Sequence, residues 1–116
     1  MRHRKKRQKL GRTHSQRRAF LRSLVTPLVL KERITTTEGK AKKIKSFLEK
    51  IISRSRNNTL ANRRILLRDF SPKVVNKLIE EIGPRYKERP GGYSRIIKTS
   101  SRKNDTASMV IIELIK

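Results

Sequence analysis

Guanidinium and ammonium groups supply most of the chemistry open to this chain, and they gather in two places. The first is the opening stretch, where Arg2, His3, Arg4, Lys5, Lys6, Arg7, Lys9 and Arg12 stand with almost nothing apolar between them, and no Asp or Glu occurs before Glu32. Arginine can fork across two phosphate oxygens or stack on a base, whereas lysine acts as a mobile point charge. The second is Gly83-Pro84-Arg85-Tyr86-Lys87-Glu88-Arg89-Pro90-Gly91-Gly92-Tyr93, followed by Arg95; it contains both tyrosines of the chain. There Gly91 and Gly92 let a backbone approach closely, Arg85, Arg89 and Arg95 offer phosphate ligands, and the Tyr86 and Tyr93 rings could stack on unpaired bases. The same residues also suit a plain helix-to-strand connection built from turn formers.

Other chemistries find little support. The chain has no cysteine, so it has no disulfide framework and no thiolate metal site. His3 and His14 lack nearby carboxylates and make a poor metal pair, better suited to stacking or phosphate contact. No serine sits in a nucleophile elbow, the nine carboxylates are scattered, and the adjacent Glu80 and Glu81 would not face each other on a helix. The glycine-rich loop matches no nucleotide-cradling fingerprint. The expectation is a binding protein, not an enzyme, with no cofactor and no small-molecule substrate.

Charge narrows the partner. Against nine Asp and Glu stand 32 Lys and Arg, a formal net charge of +23. Such a chain repels itself unless counterions or a polyanion relieve it, and each neutralised phosphate releases condensed counterions. Nucleic acid is therefore the leading partner. An architectural DNA-binding protein and a membrane-active cationic domain are the rival classes. The longest apolar runs, such as Val110-Ile111-Ile112, fall far short of the roughly 20 residues a membrane span needs. No apolar h-region follows the charged N-terminus before Phe20, which argues against a secretory signal. An Arg-rich, acid-free start would suit an organellar transit peptide, but this one is poor in serine and leads straight into a helix.

These groups must be positioned by a body of about one domain, 15–116, behind an arm of residues 1–14. The arm cannot bury enough apolar surface to order itself, so it is expected to be disordered alone. At roughly 3.3 Å per residue, about a dozen residues reach about 40 Å. Ser15 is a candidate cap for a helix to about Leu30, with Phe20, Leu24 and Leu28 on one stripe and Leu21, Val25 and Val29 beside it. Pro27 should kink or shorten that helix. Its polar face carries Arg17, Arg18 and Arg22. Glu32 to Thr37 reads as a short strand. Ala41, Ile44, Phe47, Leu48, Ile51 and Ile52 give the clearest helical rhythm, with the lysines mostly outward. Thr59 opens a third helix bearing Leu60, Ala61, Arg64, Ile65 and Leu67; its Asn62, Arg63 and Arg64 form either a polar face or another RNA contact. Ser71-Pro72 opens a fourth, which Gly83 should end and Pro84 should keep from continuing. Tyr93–Thr99 and Ser108–Ile115 read as a long-looped hairpin, with Val110, Ile112 and Leu114 towards the helices.

Four segments carry a resemblance across essentially the whole chain: Met1-Arg2-His3-Arg4, Leu60-Ala61-Asn62-Arg63-Arg64, Gly83-Pro84-Arg85-Tyr86 and Arg89-Pro90-Gly91-Gly92-Tyr93-Ser94-Arg95-Ile96-Ile97-Lys98. The chain resembles the bacterial large-subunit ribosomal protein seventeen family. Pro90 and Ser94 stand where that family has alanine and threonine, which alters neither the charge nor the glycine pair. The resemblance implies a two-layer α/β (α+β) domain, with about four helices on one face of a small three-stranded sheet made from one early strand and the C-terminal hairpin. It also implies a structural place on the large ribosomal subunit of a cytoplasmic or organellar ribosome. There it would bind large-subunit rRNA near the mouth of the exit tunnel, beside other ribosomal proteins.

Overall fold

The C-terminal strand is the hub of the sheet. In the computed structural model, which describes residues 13–115, β3 (Met109–Leu114) lies between β1 (Arg33–Thr37) and β2 (Ser94–Lys98), antiparallel to both. Register aligns Thr35, Ile111 and Ile97 across the three strands, and Arg33, Glu113 and Arg95 in another row. Because side chains alternate along a strand, Val110, Ile112 and Leu114 all turn inward and are buried. The helices cover that face alone, giving the two-layer α+β architecture expected. The expected basic arm of residues 1–14 lies outside the described residues up to residue 12, and its last two residues, Thr13 and His14, cap and begin the first helix.

Helix α1 (His14–Lys31) starts one residue before the expected cap. Thr13, not Ser15, is the cap: its hydroxyl accepts from the Gln16 backbone N–H, and Gln16 Oε1 accepts from the Thr13 N–H at 3.1 Å. That reciprocal box satisfies two helix-start donors at once, which a lone serine cannot do. His14 accordingly belongs to the helix. The helix runs through Pro27 to Lys31, held by the buried Leu21, Val25, Leu28 and Val29 on both sides of the proline. Glu32, read from sequence as the first strand residue, instead adopts a left-handed conformation (φ 63°) and sends its N–H to the Leu28 carbonyl. It turns the chain directly into β1.

Helix α2 (Glu38–Ser55) crosses the sheet with Ala41, Ile44, Leu48, Ile51 and Ile52 buried, as its rhythm requires. Helix α3 (Leu60–Asp69) buries Leu66 and leaves Leu60 64% exposed, so its apolar stripe is only partly used. The fourth helix, α4, begins at Pro72, widens into a π-helical segment over Leu78–Ile82 and finishes with an α turn over Gly83–Arg85. Gly83 therefore does not end it. A Cβ at Gly83 would lie 2.4 Å from the Ser55 carbonyl oxygen, so glycine serves close packing against the end of α2. Pro84 continues the helix, since proline is tolerated where a new turn begins.

Candidate nucleic-acid interface

The Gly/Tyr/Arg loop holds its aromatic groups inside the protein. Tyr86 and Tyr93 are 2% and 1% exposed, and their rings meet at a centroid distance of 5.1 Å with a 51° tilt. The Tyr86 hydroxyl donates to the Ile115 carbonyl, while the Ile115 N–H donates to the Tyr93 carbonyl at 2.9 Å. Arg56, at the end of α2, donates to the Tyr93 hydroxyl at 3.0 Å and to the Lys87 carbonyl at 2.6 Å. The expectation that these rings stack on RNA bases is thus corrected: neither ring has a face left for a base. Both tyrosines staple the loop and the chain end to α2. Arg56, which the sequence reading passed over, is the side chain that ties them there.

Several of the expected phosphate ligands have internal partners. Arg85 makes a forked pair with both carboxylate oxygens of Glu32, at 2.9 and 2.8 Å, and Lys77 approaches the same group at 3.5 Å. The Arg85 hydrogen bonds hold the Glu32 carboxyl below its ordinary value, and the carboxylate in turn raises the guanidinium. Arg18 and Arg22 on α1 both reach Asp69 on α3, at 3.4 and 3.3 Å. Arg95 pairs with Glu113 across the open sheet face, and Arg33 approaches it from the other side. Arg63 donates to Asn76, and Asn62 ties its own side chain to the Asn57 carbonyl at 3.0 Å while its N–H is capped by Thr59. Arg17 is half-buried on α1, and His14, Arg64 and Arg89 are exposed. Gly92 has φ +64°, a conformation glycine takes without strain, and Gly91 has open space where a side chain would begin.

What remains is a lysine-rich outer face on α2 and a cleft beside it. This cleft, of about 790 Å³, lies between the outer side of α2, Asn57 and Asn62 near the start of α3, and the Pro90–Gly91 backbone. Lys50 and Arg54 line it, and no ion pair between described residues uses either. The cleft joins the Asn62 patch to the glycine loop, two segments that the sequence reading treated separately. Another hollow of the same volume is lined by the Glu32, Lys77 and Arg85 group together with Arg33 and Glu113. Its charges already face one another. The described residues hold no cluster of three or more possible metal ligands and no helix long and apolar enough to cross a membrane.

A small α+β body with a surplus of outward cations and a cleft edged by unpaired basic groups defines the class: a basic domain shaped to meet a polyanion. Comparison with known proteins makes the assignment specific. The family model for ribosomal protein L17 matches residues 20–115. The chain is 50% identical over 117 residues to a protein of Pelobacter propionicus named large ribosomal subunit protein bL17, covering all of this chain and 92% of that one. Proteins of the same name match at 48% identity in Carboxydothermus hydrogenoformans, over 92% of this chain and 96% of the relative, and at 47% in Gemmatimonas aurantiaca, over 99% and 98%. The chain belongs to the ribosomal protein L17 family.

Proposed function

We propose that the chain is a structural constituent of the large ribosomal subunit that binds and stabilises large-subunit rRNA and does no chemistry of its own. One observation carries the reading beyond family membership. Of the nine carboxylates, Glu32, Glu38, Asp69, Asp105 and Glu113 are taken up in internal ion pairs, so the surplus of cations faces outward. A surface of that kind gains free energy from phosphates through counterion release. The basic residues 2–12 extend the same field and, as the family resemblance implies, thread between rRNA helices while the body fixes a junction near the exit tunnel beside neighbouring ribosomal proteins.

Sedimentation of a cell extract tests this reading. The chain should travel with large subunits after a high-salt wash, and removing residues 2–12 should weaken rRNA affinity and flatten its salt dependence. In a competition at fixed salt, preference for duplex DNA over structured rRNA would overturn it. Co-flotation with anionic vesicles that survives nuclease treatment would point instead to a membrane surface.

A further inference from the structure

The outer stripe of α2 contains an acidic residue with nothing to bind. Glu49 lines the cleft described above, its Oε1 is shut off from solvent, and no hydrogen bond reaches that atom. Among the described residues the other buried side-chain atoms without hydrogen bonds are Arg22 Nε, Arg56 Nε and Ser94 Oγ, so Glu49 is the one anion among those. A carboxylate oxygen kept from water without a donor is costly, and the cost is removed by any group that brings donors to it. Because no hydrogen bond holds that oxygen, rotation about the sp3 torsions of the side chain can swing the carboxylate end into the cleft it lines, where both oxygens are presented together.

The surroundings specify what those donors belong to. Lys50 and Arg54 flank Glu49 on the same helix and are exposed, which would bring a phosphate chain to the rim. Gly91 lines the same cleft, a Cβ there would meet nothing within 4 Å, and the cleft's volume of about 790 Å³ leaves room for a flat ring. A ligand that carries phosphates on the outside and hydrogen-bond donors on a flat edge is a nucleotide whose base is unpaired. Among the bases, adenine and cytosine present an amino group beside a ring acceptor, and uracil presents one N–H between two acceptors. Guanine alone presents two adjacent donors, N1–H and N2–H, matching the two oxygens of a carboxylate.

We propose that the cleft holds one unpaired guanosine of the bound RNA, with the Glu49 carboxylate on its N1–H and N2–H and with Lys50 and Arg54 on the adjoining phosphates. The assignment rests on the rRNA-binding reading and names the nucleotide at one point of that interface. Asn57 and Asn62 border the same space.

The test uses the full chain bound to protein-free large-subunit rRNA and a dicarbonyl reagent that modifies unpaired guanine at N1 and N2. The chain protects one guanine that Glu49→Gln leaves reactive, while the other protections are the same for both proteins. The affinity of Glu49→Gln is about tenfold lower, the worth of one bidentate base contact. Its thermal unfolding is not lowered, because no internal bond has been lost. If both proteins bind the RNA with identical protections, or if neither shields a guanine, the cleft does not hold this base and the rRNA-binding reading stands without it. If neither protein binds the rRNA, that reading falls and the cleft assignment falls with it.

Discussion

Two hollows of equal volume, about 790 Å³ each, differ in how their charges are used. At one, Glu32 receives Arg85 and Lys77, and Glu113 receives Arg33 and Arg95. At the other, Lys50 and Arg54 have no internal ion pair and Glu49 has no hydrogen-bond donor. Counting cations does not locate a binding surface, because the few carboxylates decide which cations serve the fold. Where a carboxylate is shared by two basic side chains, the group is part of the protein's own stability. Where basic side chains are left over, they are available to phosphate.

Breaking the floor beneath the second hollow should have the largest effect. Tyr93 lines that cleft but is buried, so Tyr93→Ala should cost about 3–5 kcal/mol of stability, read by denaturant unfolding. A variant that keeps its stability but loses RNA affinity would mean that the ring reaches the base after all. The next effect is at the first hollow. Glu32→Gln removes a forked charged pair and leaves Arg85 and Lys77 without their carboxylate, which should cost about 1–3 kcal/mol at neutral pH with no change in the salt dependence of RNA binding.

That cost has a definite pH dependence. Since folding lowers the Glu32 carboxyl below its ordinary value near 4.5, the pair's contribution is full above that value and is lost as the pH falls through the lowered one. Wild type and Glu32→Gln should therefore converge in stability on acidification, and a gap that stays constant to low pH would reject the pair. The smallest effect is at Glu113. Its partners Arg33 and Arg95 are 59% and 60% exposed, so solvent screens them and Glu113→Gln should change stability by about 0–1 kcal/mol.

Most of the fold was legible in the sequence. The α2 rhythm, the alternation in β3 and the Ser71-Pro72 start each follow from local periodicity or local backbone chemistry, and each stands where it was read. Three of the misreadings share a cause: a distant group decided them. Gly83 followed by proline looks like a helix end, but the Ser55 carbonyl lying against it makes glycine a packing requirement. Tyr86 and Tyr93 among arginines look like base-stacking groups, and the same composition serves a buried staple once Arg56 arrives from α2. Arg85 reads as a phosphate ligand until Glu32, 53 residues earlier, meets it. The cleft was legible only in fragments. Asn62 and Gly91 were singled out, whereas Glu49, Lys50 and Arg54 carry no local signal that separates them from an ordinary solvated helix face.

On the proposed function, unpaired cations bind RNA and paired ones hold the fold. The salt dependence of large-subunit rRNA affinity measures it directly for two variants, Lys50→Ala/Arg54→Ala in the cleft and Arg85→Gln in the Glu32 group. The cleft variant should keep its thermal stability and lose about two units from the slope of log affinity against log salt, about one for each phosphate contact. Arg85→Gln should lose stability and keep the slope. An unchanged slope for the cleft variant, together with a reduced slope for Arg85→Gln, would contradict the account.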